Sequence, residues 1–200
     1  KSGLDKNAIC LLTSRKDSMS MLNLEKYINL IIPRGSNELV QFIQENTRIP
    51  VLGHADGICH LFIDNEANLE MALSIALDSK IQYPAACNAI ETLLVHKDIA
   101  SEFLKKAIPV FENNDVQLKG DKKSISLGVK YLAEEKDWLT EYLDLILSIK
   151  IVDTLEEAIE HILRFGSKHT DGIITNNIAN ANNFMNSVDS AGVFHNCSTR

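Results

Sequence analysis

The sequence lacks an excess of positive charge. Twenty lysines and arginines stand against 27 aspartates and glutamates, so the 200-residue chain carries a formal net charge of −7. A protein that binds nucleic acid or an anionic membrane surface through its overall charge needs the opposite balance. Neither nucleic acid nor a membrane is therefore expected as a partner, and any anionic ligand must be bound locally.

Long hydrophobic runs are also missing. The longest, such as residues 8–12 and 30–32, fall far short of the roughly 20 residues that a membrane span requires. The first six residues resemble neither a signal peptide nor an Arg-rich targeting segment. A hydrophobic content of 45% is nevertheless enough to bury a sizeable core. We therefore predict a soluble, folded protein.

Cysteines are few, and no two of them form a C-x-x-C pair. This spacing argues against a disulfide scaffold and a zinc ribbon, and it makes a reducing compartment the default. The closest approach to a metal-binding cluster is His54, Cys59 and His60. Two of these residues are neighbours on a predicted strand and would point to opposite faces, so no metal site is predicted.

Short apolar runs alternate with helical patterns, which is typical of a parallel sheet built from βαβ units. Strands are predicted at 8–12, 29–32, 49–52, 58–63, 146–152, 172–175 and 191–195. Helices are predicted around 39–43, with Ser36 or Asn37 as the cap, and over 68–79, 97–111, 154–165 and 182–188. Residues 89–96 fit a buried strand or a helix, and Thr154 with Glu157 predicts a capping box. The polar stretch 112–126 is predicted to be a surface excursion.

Two short segments could carry chemistry. Cys87 follows a proline and two alanines at the start of an element, where small residues let a substrate approach and backbone amides can hold an oxyanion. A buried, inert cysteine is the more common alternative. The turn Pro33–Ser36 joins a strand to a helix, where amides can meet a phosphate, although it is not a G-x-G-x-x-G motif. We interpret His161 and His169 as surface or packing residues.

Four segments carry motifs that agree with one another. They are LIIPRGS at 30–36, IPVLGHADGICH at 49–60, YPAACNA at 83–89 followed by ETLLV at 91–95, and the stretch 152–173 with its His-Thr-Asp at 169–171. Together they resemble the gamma-glutamyl phosphate reductases of the aldehyde dehydrogenase superfamily, which also occur as the reductase half of delta-1-pyrroline-5-carboxylate synthase.

The resemblance implies an aldehyde dehydrogenase-like α/β fold of three layers with a parallel sheet, of which this is a partial chain. Residues 1–54 would be the C-terminal part of an NADPH-binding domain. Residues 55–200 would belong to the catalytic domain, incomplete at its C-terminus.

The resemblance also implies a reaction in proline biosynthesis. The thiolate of Cys87 would attack L-glutamate 5-phosphate, and NADPH would reduce the resulting thioester to L-glutamate 5-semialdehyde. The amides of Cys87 and Asn88 would hold the oxyanion. The expected cofactor contacts are Arg34, Gly35, Ser36 and, at the ribose, Glu141. Ser198 and Arg200 are candidate contacts for the phosphate or carboxylate of the substrate.

Two alternatives remain at this point. A hydrolytic aldehyde dehydrogenase is disfavoured because such enzymes place a water-activating glutamate near the position of His54. The other alternative is a catalytically silent fragment or scaffold of the same fold. The remaining expectations are a small-molecule substrate, a homo-oligomer, and a location in the cytoplasm or in an organelle.

Overall fold

A computed structural model of the chain describes residues 7–53 and 56–200, together with Gly3 and Asp5. The chain divides into two compact units, Lys1–Ala55 and Asp56–Arg200. The first unit contains helices α1 (Arg15–Met21) and α2 (Asn37–Glu45). Helix α2 begins after Ser36, whose hydroxyl accepts a hydrogen bond from the Leu39 amide, as the predicted cap requires.

Of the three strands predicted in the first unit, two are much shorter than predicted and one does not form. Residues 29–32 and 49–52 meet in one isolated parallel bridge, between Ile31 and Val51. Residues 8–12 form no strand, and Ile9 and Leu11 are each 86% exposed. A strand needs a neighbour to accept its hydrogen bonds, and the described residues of this unit provide none for 8–12. Helix α1, capped by Ser14, was not predicted.

The second unit contains one sheet of seven parallel strands in the order β4-β3-β5-β2-β1-β6-β7. The strands are β1 (Cys59–Ile63), β2 (Ile90–His96), β3 (Gln117–Gly120), β4 (Tyr131–Leu132), β5 (Ile146–Val152), β6 (Thr170–Ile174) and β7 (Gly192–His195). The helices are α3 (Leu69–Ile81), α4 (Lys97–Asn113), α5 (Lys122–Ser126), α6 (Leu155–Phe165) and α7 (Ile178–Ser187), with a 3₁₀ helix at Glu135–Leu139.

Helices cover both faces of this sheet. Alternate residues of a strand point to opposite faces, so Leu61 packs with Phe103 of α4 in one core, whereas Phe62 packs with Ile159 of α6 and Phe184 of α7 in the other. Strand β2 is buried along its whole length, which identifies 89–96 as a strand rather than a helix. The predicted three-layer α/β fold with a parallel sheet is confirmed.

The prediction of a surface excursion over 112–126 is wrong. Strand β3 and helix α5 occupy most of this stretch, with Leu118 and Ser124 buried. Lys119 lies between the two inward-facing residues of β3, and its ammonium pairs with Asp137 at 2.6 Å. The lysines of this stretch lie on β3, next to the edge strand β4, and on the exposed side of α5. The stretch can therefore be polar and still form regular structure.

Two helix starts differ in detail from the prediction. Thr154 caps α6 by accepting from the Glu157 amide, but the Glu157 carboxylate accepts from the Asp153 amide instead of closing the predicted capping box. Helix α7 begins at Ile178 rather than 182, because the Asn177 side chain accepts from two amides of its first turn.

Candidate active site

Cys87 lies at the amino-terminal edge of the sheet, in the segment that leads into β2. Two turn hydrogen bonds shape this segment, from the Ala86 amide to the Tyr83 carbonyl and from the Ala89 amide to the Ala86 carbonyl. Cys87 is half-buried, and its thiol is free. Cys87 is therefore not fully buried, and the partial exposure is compatible with the predicted nucleophile.

The buried cysteine of this region is Cys59, at the start of β1. Its thiol donates to the carbonyl oxygen of Cys87 at 3.2 Å and lies 3.9 Å from Nδ1 of His169. Burial, reinforced by the negative charge of Asp171, raises the pKa of the Cys59 thiol well above its usual range. Cys59 is therefore a protonated hydrogen-bond donor to the backbone of Cys87, a role that its sequence position did not indicate.

Gly57 lies where the loop that carries Glu141 approaches the Cys87 segment. A Cβ atom at Gly57 would lie 2.2 Å from the carbonyl oxygen of Cys87 and 2.6 Å from Oε1 of Glu141. Contacts this short do not occur, so any residue larger than glycine would push the two loops apart. The structure thus brings the backbone of the predicted nucleophile and the carboxylate of the predicted ribose-binding glutamate to the same glycine.

The loop that carries Glu141 is tied down on both sides. Before Glu141, the Thr140 hydroxyl donates to the carbonyl of Lys136 at 2.7 Å. After it, the Tyr142 hydroxyl bonds Oδ1 of Asp137 at 3.0 Å and Oγ of Ser148 at 2.8 Å. These bonds fix the backbone that presents the Glu141 carboxylate.

A buried ion pair adjoins the same loop. Nζ of Lys80 lies 2.6 Å from Oε2 of Glu91, and both side chains are inaccessible to solvent. The Glu91 Oε1 atom accepts a hydrogen bond from the Leu143 amide at 3.2 Å. Burial raises the pKa of Glu91 to about 7 although the Lys80 charge opposes the shift, and burial likewise lowers the pKa of Lys80. Neither residue is predicted from the sequence as a site residue.

Asn88 holds the last residues of the chain against the Cys87 segment. Its Nδ2 donates to the Thr199 carbonyl at 2.8 Å, and its Oδ1 accepts from the guanidinium of Arg200. Ser198 is anchored through its hydroxyl, 3.1 Å from that of Ser79. The structure therefore brings three predicted site residues together: the Asn88 side chain holds Arg200 and the Thr199 carbonyl, while Ser198 is held by Ser79.

Three further predicted residues, Arg34, Gly35 and Ser36, lie in the first unit at the start of α2. Arg34 is exposed, and Ser36 caps the helix. A cavity of about 260 Å³ opens at this helix start and is lined by Arg15, Met19, Ser36, Glu38, Leu39 and Phe42. A helix amino terminus beside an arginine suits a phosphate group. His54, the residue that argues against hydrolysis, lies outside the described residues.

His60 and His161 of the second unit are buried. His161 is buried between Trp138 and Phe165, as the packing interpretation requires, and burial lowers the pKa of His161 to about 2. His60 bonds Asp171 inside the sheet at 3.0 Å. Within the described ranges, no group of three His, Cys, Asp or Glu side chains is placed to hold a metal ion. No helix there has the length and apolar character needed to cross a membrane.

Comparison with known proteins identifies close relatives, although no protein-family model matches the chain. The gamma-glutamyl phosphate reductase of Prochlorococcus marinus (strain MIT 9312) is 84% identical over all 200 residues, which make up 46% of that protein. That of strain AS9601 is 82% identical over 199 residues, again 46% of its length. The chain thus spans about half the length of the curated relatives it matches.

Solved structures agree with this relationship. The gamma-glutamyl phosphate reductase of Thermotoga maritima has a TM-score of 0.91 at 41% identity, covering 94% of this chain and 46% of that one. The Saccharomyces cerevisiae enzyme of the same name has a TM-score of 0.56 at 37% identity, covering 91% and 46%. A lactaldehyde dehydrogenase has a TM-score of 0.73 at 17% identity over 90% of this chain and 48% of its own, which shows the shared fold.

Proposed function

We propose, from the premise that this chain belongs to the gamma-glutamyl phosphate reductase family, that it is part of an enzyme reducing L-glutamate 5-phosphate to L-glutamate 5-semialdehyde in proline biosynthesis. The observation that carries the proposal is the half-buried, free thiol of Cys87 beside the Glu141 loop. The substrate is a small molecule.

Cys87 is the proposed nucleophile. Its sulfur attacks the acyl carbon, a C–S bond forms, and the C–O bond to phosphate breaks with its electron pair leaving on the phosphate. The backbone amides of Cys87 and Asn88 stabilise the oxyanion at this stage. In the second half-reaction, the C–S bond breaks and the sulfur leaves as a thiolate. Cys59 contributes by holding the carbonyl of Cys87 with a thiol that stays protonated.

The relatives' reductase and dehydrogenase names imply a nicotinamide cofactor, and we propose NADPH. The donor set fits it, since the Glu141 carboxylate can accept hydrogen bonds from ribose hydroxyls. Arg34, Gly35 and Ser36 lie at a helix start that suits a phosphate. When bound, NADPH would supply the hydride for the reduction.

The remaining assignments follow from the family. We assign residues 1–54 to the NADPH-binding domain and 55–200 to the catalytic domain. Ser198 and Arg200 are proposed substrate contacts, because the Arg200 guanidinium complements the charge of a phosphate or carboxylate. We further propose that the protein is a homo-oligomer and is located in the cytoplasm or in an organelle.

The test is the reverse reaction of a protein of the relatives' full length that contains this chain. Pyrroline-5-carboxylate, phosphate and NADP are mixed, and NADPH formation is followed. We expect Cys87→Ala to lower the rate at least about 10³-fold, while Cys10→Ala, at an exposed cysteine, leaves it unchanged. Activity that survives Cys87→Ala would contradict the nucleophile assignment. A protein inactive even without substitution would favour the scaffold alternative.

A further inference from the structure

We infer that the buried pair Lys80 and Glu91 positions the Glu141 loop for cofactor binding. The inference rests on the proposed function, because it concerns the contact proposed between Glu141 and the cofactor. Neither member of the pair takes part in the proposed chemistry. Their effect is exerted through the backbone of the loop.

The contacts of Glu91 lead directly to that backbone. Glu91 is the second residue of β2, four positions after Cys87, and it is fixed by the most central part of the sheet. One of its oxygens pairs with Lys80 of α3 at 2.6 Å, and the other accepts from the Leu143 amide at 3.2 Å. A rigid strand and a helix thus hold the loop two residues from Glu141.

The loop conformation needs this support. Leu143 has a φ of +55°, a left-handed conformation that a leucine adopts only when its surroundings impose it. Leu143 is 45% exposed, so core packing alone does not hold it in this conformation. The hydrogen bond from its amide to Glu91 is a direct contact on this backbone, and it acts beside the bonds of Tyr142 to Asp137 and Ser148 at the preceding residue. The Tyr142 ring, with its centroid 6.0 Å from Nζ of Lys80, continues the same layer.

A role in stability alone would not explain an ion pair at this place. Removing two charges from water costs free energy that the pairing only partly offsets, and apolar residues of similar volume often stabilise a fold as well or better. A carboxylate, however, has a second oxygen with which to accept from the loop. Lys80 therefore neutralises the charge of Glu91, and the second oxygen of Glu91 accepts the hydrogen bond from the Leu143 amide.

The decisive comparison is between two double variants at position 91, one with this acceptor and one without it. Glu91→Leu alone would leave the Lys80 charge buried without its partner, so Lys80→Met accompanies each change. Lys80→Met/Glu91→Gln keeps an oxygen for the Leu143 amide, whereas Lys80→Met/Glu91→Leu removes it. The readout is the dissociation constant of NADPH, from a fluorescence titration of the full-length protein, with thermal unfolding measured in parallel.

We expect the leucine variant to bind NADPH about tenfold more weakly than the glutamine variant, as the loss of one hydrogen bond to the loop would cause. Adding Glu141→Gln should weaken binding in the glutamine background but have little further effect in the leucine background, where Glu141 is already misplaced. The matched control is Thr175→Val, which removes a buried hydrogen bond to Asp64 at the opposite edge of the sheet. It should lower stability and leave the NADPH affinity unchanged.

The outcomes separate this inference from the proposed function. Equal NADPH affinities of the leucine and glutamine variants, with Glu141→Gln still weakening binding, would overturn the positioning role and leave the proposed function intact. If Glu141→Gln has no effect in the unsubstituted protein, the cofactor contact proposed for Glu141 is wrong and the inference falls with it. An affinity loss that Thr175→Val reproduces would show that the effect is one of general stability, and would also overturn the inference.

Discussion

Among the described glycines, Gly57 is the one at which an added Cβ would come nearest to a backbone atom. An added methyl group would meet the backbone oxygen of Cys87 at 2.2 Å, and a backbone atom cannot move aside as the end of a flexible side chain can. Gly57→Ala must therefore displace the Cys87 segment or the Glu141 loop. A displacement of about 1 Å at reacting groups costs on the order of 10²-fold in rate.

We accordingly predict that Gly57→Ala lowers kcat/KM by about 10²-fold in steady-state assays of the full-length protein. Gly192→Ala is the control, because a Cβ there would meet only side-chain atoms, the Phe194 ring at 3.1 Å and the Thr170 hydroxyl at 3.6 Å. A Gly57→Ala protein with undiminished kcat/KM would mean that the two loops are not packed together as described.

The cysteines differ in reactivity for physical reasons that can be tested. Cys59 is fully buried and its pKa is raised, so its thiol stays protonated at pH 7 to 8 and is a poor nucleophile. Cys10 and Cys197 are exposed, and Cys87 is half-buried. We expect iodoacetamide to label Cys10, Cys87 and Cys197 in the folded protein and Cys59 only after unfolding, as read by peptide mass spectrometry. Labelling of Cys59 at native conditions would show that β1 is accessible.

At the scale of single elements, strand β2 carries a carboxyl whose titration is linked to stability. Groups that face Glu91 are Lys80, Glu141, Tyr142 and Cys59. Because burial raises the pKa of Glu91 from 4.5 to about 7, the folded protein holds a proton there that the unfolded chain releases. The contribution of Glu91 to the free energy of unfolding therefore falls as the pH rises from about 4.5 to 7.

This linkage predicts a pH-dependent difference between the unsubstituted protein and Glu91→Gln. The free energy of unfolding of the unsubstituted protein, minus that of the variant, should decrease between pH 4.5 and 7 in urea denaturation series. Glu91→Asp, which retains a titrating carboxyl, is the control. Its free energy of unfolding, minus that of Glu91→Gln, should also decrease between pH 4.5 and 7. A difference that is constant with pH would mean that Glu91 titrates normally.

The same elements show what sequence patterns can and cannot predict. Strand β5 and helix α6 were predicted with nearly their observed bounds, because an unbroken apolar run and an amphipathic stripe each have one stable placement against a sheet. The run 8–12 was misassigned since a strand depends on a partner that the local sequence does not encode. Strand β3 was missed because its lysine pairs with Asp137, a contact 18 positions away.

In the candidate site, too, motifs predicted some residues, but contacts between segments distant in sequence were not predicted. Cys87 and Glu141 were predicted by resemblance, and the structure brings the backbone of one and the carboxylate of the other to Gly57. Lys80 and Glu91 were not predicted, because a lysine on a helix and a glutamate on a strand look like ordinary surface residues until the chain brings them together. Cys59 was considered only as a metal ligand, and its bond to the Cys87 carbonyl depends on the juxtaposition of β1 with the segment before β2.

At the scale of the whole molecule, the parallel topology explains why these residues meet. All seven strands run in one direction, so the segments that precede β1, β2 and β6 converge on one edge of the sheet. Gly57, Cys87 and His169 come from these three segments. The site is thus built from connections that are distant in sequence, and it occupies one edge of a sheet whose two faces are covered by helices.

The central claim is that Cys87 forms a covalent thioester, and trapping that thioester tests it most directly. Full-length protein is incubated with pyrroline-5-carboxylate and NADP without phosphate, so that oxidation can proceed but release to phosphate cannot. Peptide mass spectrometry should find one glutamyl group on Cys87, removed when phosphate is added and absent in Cys87→Ala. NADPH formation with an unmodified Cys87, or with the glutamyl group on another residue, would contradict the account.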